Sequence, residues 1–345
     1  MITPRYHAMS LTAVLLALVF GVVLGSGLLS GPLMAGLQSD KEDLREQVDA
    51  LHDQHTALSE RLRNANEFDA QMAPRMVHDA LNGKSTVVFR TPDAADSDVE
   101  GVIRIIGLAG GIVTGTVTLT PQFVDGSAEE KLRAVLESGI VPAGAQLSTE
   151  LVDQDAQAGD LLGIALLVNA PHPPEPAAPA TPPVDDAQRG TVLAALRDTG
   201  FISYGQERFA PANAAVVIAG GALAEDAGTS GLSVARFAAA LAPHGSATVL
   251  AGRDGSASGT AAVAMARTDP AVAGTISTVD DVDIESGRIT TVMAVSSLIG
   301  GGKPGQYGIG HGAASVTLAQ RRLYHARYPK AAGRVWSPDA RSMLG

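Results

Sequence analysis

From Ala8 to Ser39 the chain carries no Asp, Glu, Lys, Arg or His, and the middle of that run reads LTAVLLALVFGVVLGSGLL. A bilayer-crossing helix needs about 20 such residues, which predicts a spanning helix over Ser10 to Leu29. Arg5 precedes the run, and Asp40, Glu42 and Asp43 follow it. The positive-inside rule then keeps the N-terminus in the cytoplasm and sends everything after about residue 35 outside. A cleaved signal peptide has an apolar core of about 7 to 15 residues and a small-residue cleavage site. This run is longer and ends on no A-x-A, so the expectation is an uncleaved single-pass anchor in the cell membrane, residues 1–35 with the cytoplasmic tip. Gly21 and Gly25 form a G-x-x-x-G pair, read equally well as a helix-dimer face or as the ordinary glycine of spanning helices.

The period then changes. Leu37, Leu44, Leu51 and Leu58 recur every seventh residue, with Lys41, Val48, His55 and Leu62 at the other core position and mostly charged or amide side chains between. A heptad sustained this long predicts a coiled-coil stalk over 36–70. At 1.5 Å per residue it is roughly 40 Å long. A helix packed on its own domain would have a broader apolar stripe. Parallel homo-oligomerisation, most simply a dimer, is therefore expected through Leu37, Leu44, Val48, Leu51, Leu58 and Leu62. His55 in the seam reads as a register device or a pH-sensitive spot rather than a ligand.

Beyond residue 75 apolar runs of strand length alternate with helical spacing. STVVFRT (Ser85 to Thr91), IVTGTVTLT (Ile112 to Thr120), AAVVIAGG (Ala214 to Gly221) and SATVLAG (Ser246 to Gly252) read as strands. Ser97 with Glu100, and Ser127 with Glu130, have capping-box spacing for the helices that follow. LSVARFAAALA (Leu232 to Ala242) reads as a third helix, stopped by Pro243 and Gly245. Between the halves lies PHPPEPAAPATPP, with seven prolines in thirteen residues. Such a segment is neither helix nor central strand. The expected fold is α/β: an N-terminal transmembrane helix and coiled-coil stalk, followed by two Rossmann-like βαβ lobes. They cover 75–170 and 187–320, joined by a Pro-rich linker, 171–186, and followed by a basic tail, 321–345.

Composition narrows the function. Hydrophobic content of 46% in 345 residues is enough for a sizeable core, and only 4% of residues are aromatic. The net charge of −11 argues against nucleic-acid binding, which needs a basic face. With no cysteine there are no disulfides, thiolate metal sites or cysteine nucleophiles. No G-x-S-x-G or H-E-x-x-H occurs, so no enzyme is expected and no catalytic or cofactor residue is assigned.

Three segments hold candidate chemistry. Met72, Met76 and His78 offer soft donors suited to Cu(I), with Pro74 between them. Asp281, Asp283 and Glu285 alternate in DDVDIESG, but the glycine comes one place late for a calcium loop and the twelfth position is Val292, so a turn of solvated acids is expected. GGGKPGQYGIGHGAASV, Gly300 to Val316, holds seven glycines. As a phosphate loop it fails because Pro304 follows Lys303. Gly308, Gly310 and Ala313 match G-x-G-x-x-A, but no apolar strand leads in and too little chain follows. It is expected to be a permissive loop at the sheet edge, with Lys303, Tyr307 and His311 as its contact residues. The tail after residue 320 holds six basic residues against one acid, which fits either a solvated end or a contact with an anionic polymer or lipid.

GQYGIGHGAASVT, MVHDALNGKSTVVFRTPDA, ESGIVPAGAQLSTELVDQDAQAGDLLGIALL, SVARFAAALAPHGSATVLAGRDGSA and ISTVDDVDIESGRIT together resemble the actinobacterial copper transport protein B family, over about residues 1 to 320. The resemblance implies a cell-envelope protein that keeps intracellular copper low and acts in copper efflux, with an outer-membrane position. Copper would be the transported or bound ion. A corynebacterial branch, SteB, implies an alternative: a non-enzymatic scaffold or regulator of cell separation and peptidoglycan hydrolysis, working through an envelope or cell-division protein partner.

Overall fold

The computed structural model describes residues 4–25, 30–168, 184–205, 208–224 and 226–318. The Pro-rich segment, Pro171 to Pro183, and the basic tail lie outside the described residues. The chain divides into two units, Met1–Gln71 and Met72–Gly345.

The first unit is helical. Helix α1 runs Pro4–Gly25 and α2 runs Ser30–Met76. The apolar side chains of α1, from Met9 through Leu15 and Phe20 to Val23, are exposed. Among the described residues no helix is long and apolar enough to cross a membrane. The expected span, Ser10 to Leu29, extends into residues 26–29, which are not described. Leu44, Val48, Leu51, Leu58 and Leu62 are all exposed along α2, so among the described residues nothing covers the heptad stripe. The side chain of Leu37 lies outside the described residues.

The second unit is a three-layer α/β fold. In chain order come β1 (Ser85–Arg90), α3 (Asp96–Leu108), β2 (Ile112–Leu119), α4 (Pro121–Val124), α5 (Glu129–Leu136), α6 (Gln154–Leu166), α7 (Asp186–Asp198), β3 (Ile202–Tyr204), β4 (Ala214–Ala219), α8 (Ser230–Leu241), β5 (Ala247–Gly252), α9 (Ala262–Thr268), α10 (Pro270–Ala273), β6 (Ser277–Val279), α11 (Glu285–Ile299) and β7 (Gln306–Tyr307). The strands form one sheet in the order β3-β2-β1-β4-β5-β6-β7. Every pair is parallel except β2 with β3.

This corrects the two-lobe expectation. β1 pairs directly with β4, from Thr86↔Ala214 to Arg90↔Ile218, so both halves of the chain build a single sheet. Helices α6 and α7, on either side of the Pro-rich segment, pack in the same core layer through Leu161, Leu162, Leu193 and Leu196. The segment therefore joins neighbours within one domain.

The central strands are continuous apolar runs because both faces are covered. Along β4, Ala215 and Val217 face the layer of α6, α8 and α9, while Ala214, Val216 and Ile218 face that of α3 and α11. Phe237 of α8 fixes the first layer, meeting Phe89 at 5.2 Å and Phe123 at 5.4 Å between ring centroids, both edge to face. The predicted capping boxes are not formed. Helix α3 starts two residues early, on Ala95 as N-cap with no side-chain bond, and α5 starts one residue late, on Ala128, also with no side-chain bond. The capping box that does form is Asp185 with Gln188, at α7.

Candidate functional site

In an open parallel sheet, ligands bind at the carboxyl edge where the strand order reverses. Here that point lies between β1 and β4, lined by Thr91, Asp93, Gly220, Gly221 and Ser230. It is closed. The Asp93 side chain accepts from the Thr91 hydroxyl, and a Cβ at Gly220 would collide with the Asp93 carboxylate. A Cβ at Gly221 would stand 2.6 Å from the Asp254 carbonyl oxygen. The remaining space is about 20 Å³, room for about one water.

The polar chemistry instead collects at the carboxyl ends of β5 and β6. Asp280, immediately after β6, is buried against Arg267 of α9, with Oδ2 2.6 Å from Nη1. The guanidinium also donates to Thr278 Oγ1 at 3.0 Å, to the Tyr307 carbonyl at 2.7 Å and to the His311 carbonyl at 2.9 Å. The other carboxylate oxygen of Asp280 accepts from the backbone N–H groups of Ile309 at 2.8 Å and Gly310 at 3.0 Å. Gly308 has φ +123, and a Cβ there would strike the Asp280 carboxylate. The glycine run thus does cradle an anion, and the anion is the protein's own Asp280.

The run is less loop-like than expected. Its Gln306–Tyr307 portion is strand β7, paired with β6 through Thr278↔Gln306 and Val279↔Tyr307. Gly308 N–H donates to the Ser315 carbonyl at 3.0 Å and Ala314 N–H to Gln306 at 2.8 Å, folding the segment back on itself. Lys303 is exposed. Tyr307 is half-buried, its hydroxyl lying over Gly305, and burial raises its pKa. His311 is exposed and lines a groove of about 460 Å³ with Ser258, Gly259, Arg267 and Thr268. Of the three expected contact residues, His311 alone lines that groove.

Two of the three acids expected to be solvated in DDVDIESG are not, and Asp283 is half-buried, which corrects that expectation. Asp281 and Glu285 are buried. Glu285, in the first turn of α11, takes Arg104 Nη2 on both oxygens at 2.6 Å, and Arg288 Nη1 stands 3.5 Å away. Arg288 and Arg253 approach the buried Asp98 at 3.4 Å each. Asp283 accepts the Asp254 N–H at 3.0 Å. The Asp281 carboxyl is pushed up to about 6 by burial and by the neighbouring Asp280 and Asp283 charges, and its Oδ1 has no hydrogen-bond partner among the described residues. Sequence reasoning missed Asp98, whose partners Arg253 and Arg288 lie far along the chain, and Arg267 and Asp280, 13 residues apart on separate elements.

Met72 is half-buried at the end of α2, and Met76 is exposed. His78 is exposed as well, with its Nδ1 3.1 Å from Asp79. Among the described residues no group of three or more His, Cys, Asp or Glu is placed to hold a metal ion.

Against known proteins, residues 1–318 match the family model described as copper transport outer membrane protein, MctB. The chain belongs to the MctB family. Proteins named copper transporter MctB from Mycobacterium tuberculosis and Mycobacterium bovis are each 60% identical over 321 residues, 93% of this chain and the whole of theirs. The Mycobacterium leprae protein of the same name is 60% identical over 324 residues. The match runs through the apolar N-terminus, the heptad segment, the sheet and the Asp280-bound glycine run, and stops where the basic tail begins. A copper transport role at the level of the family follows.

Proposed function

We propose that this protein handles copper at the cell envelope and contributes to its efflux, without catalysing a reaction. Helix α1 is the membrane anchor, α2 a paired stalk, and the α/β domain an extracytoplasmic head. The observation that carries the copper role is 60% identity, over nearly the whole chain, to proteins named copper transporters. The anchor rests on the charge-free run from Ala8 to Ser39 and on the exposed apolar side chains of α1. Pairing rests on the exposed heptad stripe of α2.

A second reading, a scaffold that binds an envelope or cell-division protein, is favoured by the closed carboxyl edge of the sheet. A head that leaves room for about one water at its switch point is better suited to surface contact than to holding a small molecule there. One deletion strain separates the two. Copper sensitivity with normal cell separation supports the first; chained cells with normal copper tolerance support the second and overturn the first.

A further inference from the structure

The apolar seam of α2 is broken at His55, between Leu51 and Leu58, and His52 stands one turn earlier. Both histidines lie in α2 and are exposed. Residues three apart share a helix face, so the two imidazoles are neighbours on the side that carries the stripe. In heptad terms Lys41, Val48, His55 and Leu62 occupy a, Leu44, Leu51 and Leu58 occupy d, and His52 occupies e. One copy of the chain offers only two imidazoles here, which is too few to enclose an ion.

A second copy supplies the rest. In a parallel pair the a side chains of the two helices face each other across the seam. The His55 of each copy then meet on the dimer axis, with the His52 of each copy beside them, giving up to four imidazole donors. The flanking positions favour that occupant. Opposed g and e residues would be Asp40 with Arg45, Gln47 with His52, Gln54 with Ser59, and Arg61 with Asn66, none of them like-charged, while Lys41, at position a, would meet its own copy. Leu44, Val48, Leu51, Leu58 and Leu62 remain between 51% and 64% exposed, an apolar row that a second α2 would cover. A leucine at position 55 would pack better in such a seam, so the imidazole needs a reason beyond stability.

We propose that the paired stalk binds one first-row transition-metal ion, copper(II) foremost, through the two His55 imidazoles, with His52 completing the donor set. Imidazole suits copper and zinc, and copper(II) heads the divalent affinity order. The proposal rests on the paired-stalk reading above, and it puts a metal contact on the stalk rather than on the head.

The test uses the full chain in phosphatidylcholine nanodiscs, titrated with copper(II) sulfate. Light scattering gives chains per particle, and electron paramagnetic resonance gives the nitrogen ligands. The expected result is one copper per two chains with nitrogen hyperfine structure. His55→Leu should keep the dimer and weaken copper binding at least tenfold, and His52→Ala should weaken it less. A dimer whose copper binding is absent, is one ion per chain, or is unchanged by His55→Leu overturns the site and leaves the paired stalk standing. A monomer overturns both.

Discussion

Arg267 and Asp280 meet at 2.6 Å with both side chains almost wholly buried, and between them they hold the backbone of Tyr307, Ile309, Gly310 and His311. Breaking one side of a buried pair strands the other charge and costs about 3–5 kcal/mol. Arg267→Leu should therefore lower thermal stability sharply. It should also raise hydrogen exchange across residues 306–315 before the rest of the sheet. Asp280→Asn keeps an acceptor for the two amides and should cost less. Equal losses in melting scans would contradict this arrangement.

The glycines of the run are not equivalent. Gly308→Ala adds a Cβ against the Asp280 carboxylate at positive φ, and should cost about 2–4 kcal/mol in denaturant unfolding. Gly301 also has positive φ, +81, but a Cβ there would meet nothing within 4 Å, so Gly301→Ala should cost only about 1 kcal/mol.

Asp281 makes stability depend on pH. Its carboxyl, raised from 3.8 to about 6 by burial and then by Asp280 and Asp283, holds a proton more tightly folded than unfolded. Between about pH 4 and 6 the folded state binds the extra proton, so stability falls as pH rises through that window and the loss is complete above it. Asp281→Asn should flatten this slope and gain about 1–2 kcal/mol at pH 7, after allowance for solvent screening. Urea unfolding at pH 4.5 and 7 checks it; an unchanged slope would contradict the assignment.

If α2 pairs through its stripe, Leu51→Asp with Leu58→Asp should give monomers by light scattering while the melting of the α/β unit stays within about 1 kcal/mol of wild type, since both residues are exposed on α2 in their own chain. A dimer that survives both changes would move the interface elsewhere.

Much of the fold was legible because β4 is an unbroken apolar run and β1 and β5 are largely apolar, interrupted by Thr86 and Thr248, the mark of strands buried on both faces. The pairing of β1 with β4 was not. Ser85 and Asn213, joined by a 3.0 Å hydrogen bond, are 128 residues apart, and no local pattern says that two strand-helix-strand stretches share a sheet. Strands β6 and β7, of three and two residues, are too short to show a period. The glycine run read as a permissive loop at the sheet edge, because the phosphate and dinucleotide templates it was compared with both look for an external anion. Asp280, in the DDVD stretch, gave no sign of its partners, because Arg267 and the 308–310 backbone come together only when β6 and β7 pair. The carboxylates there read as solvated, since charge in sequence says nothing of the arginines that bury it.

The copper role is the central claim, and intracellular copper is its most direct readout. A deletion strain grown across a range of copper concentrations, with cell copper measured by mass spectrometry, should accumulate copper and return to wild-type levels when the full chain is restored. Cell copper that is the same with and without the protein at every concentration would contradict it.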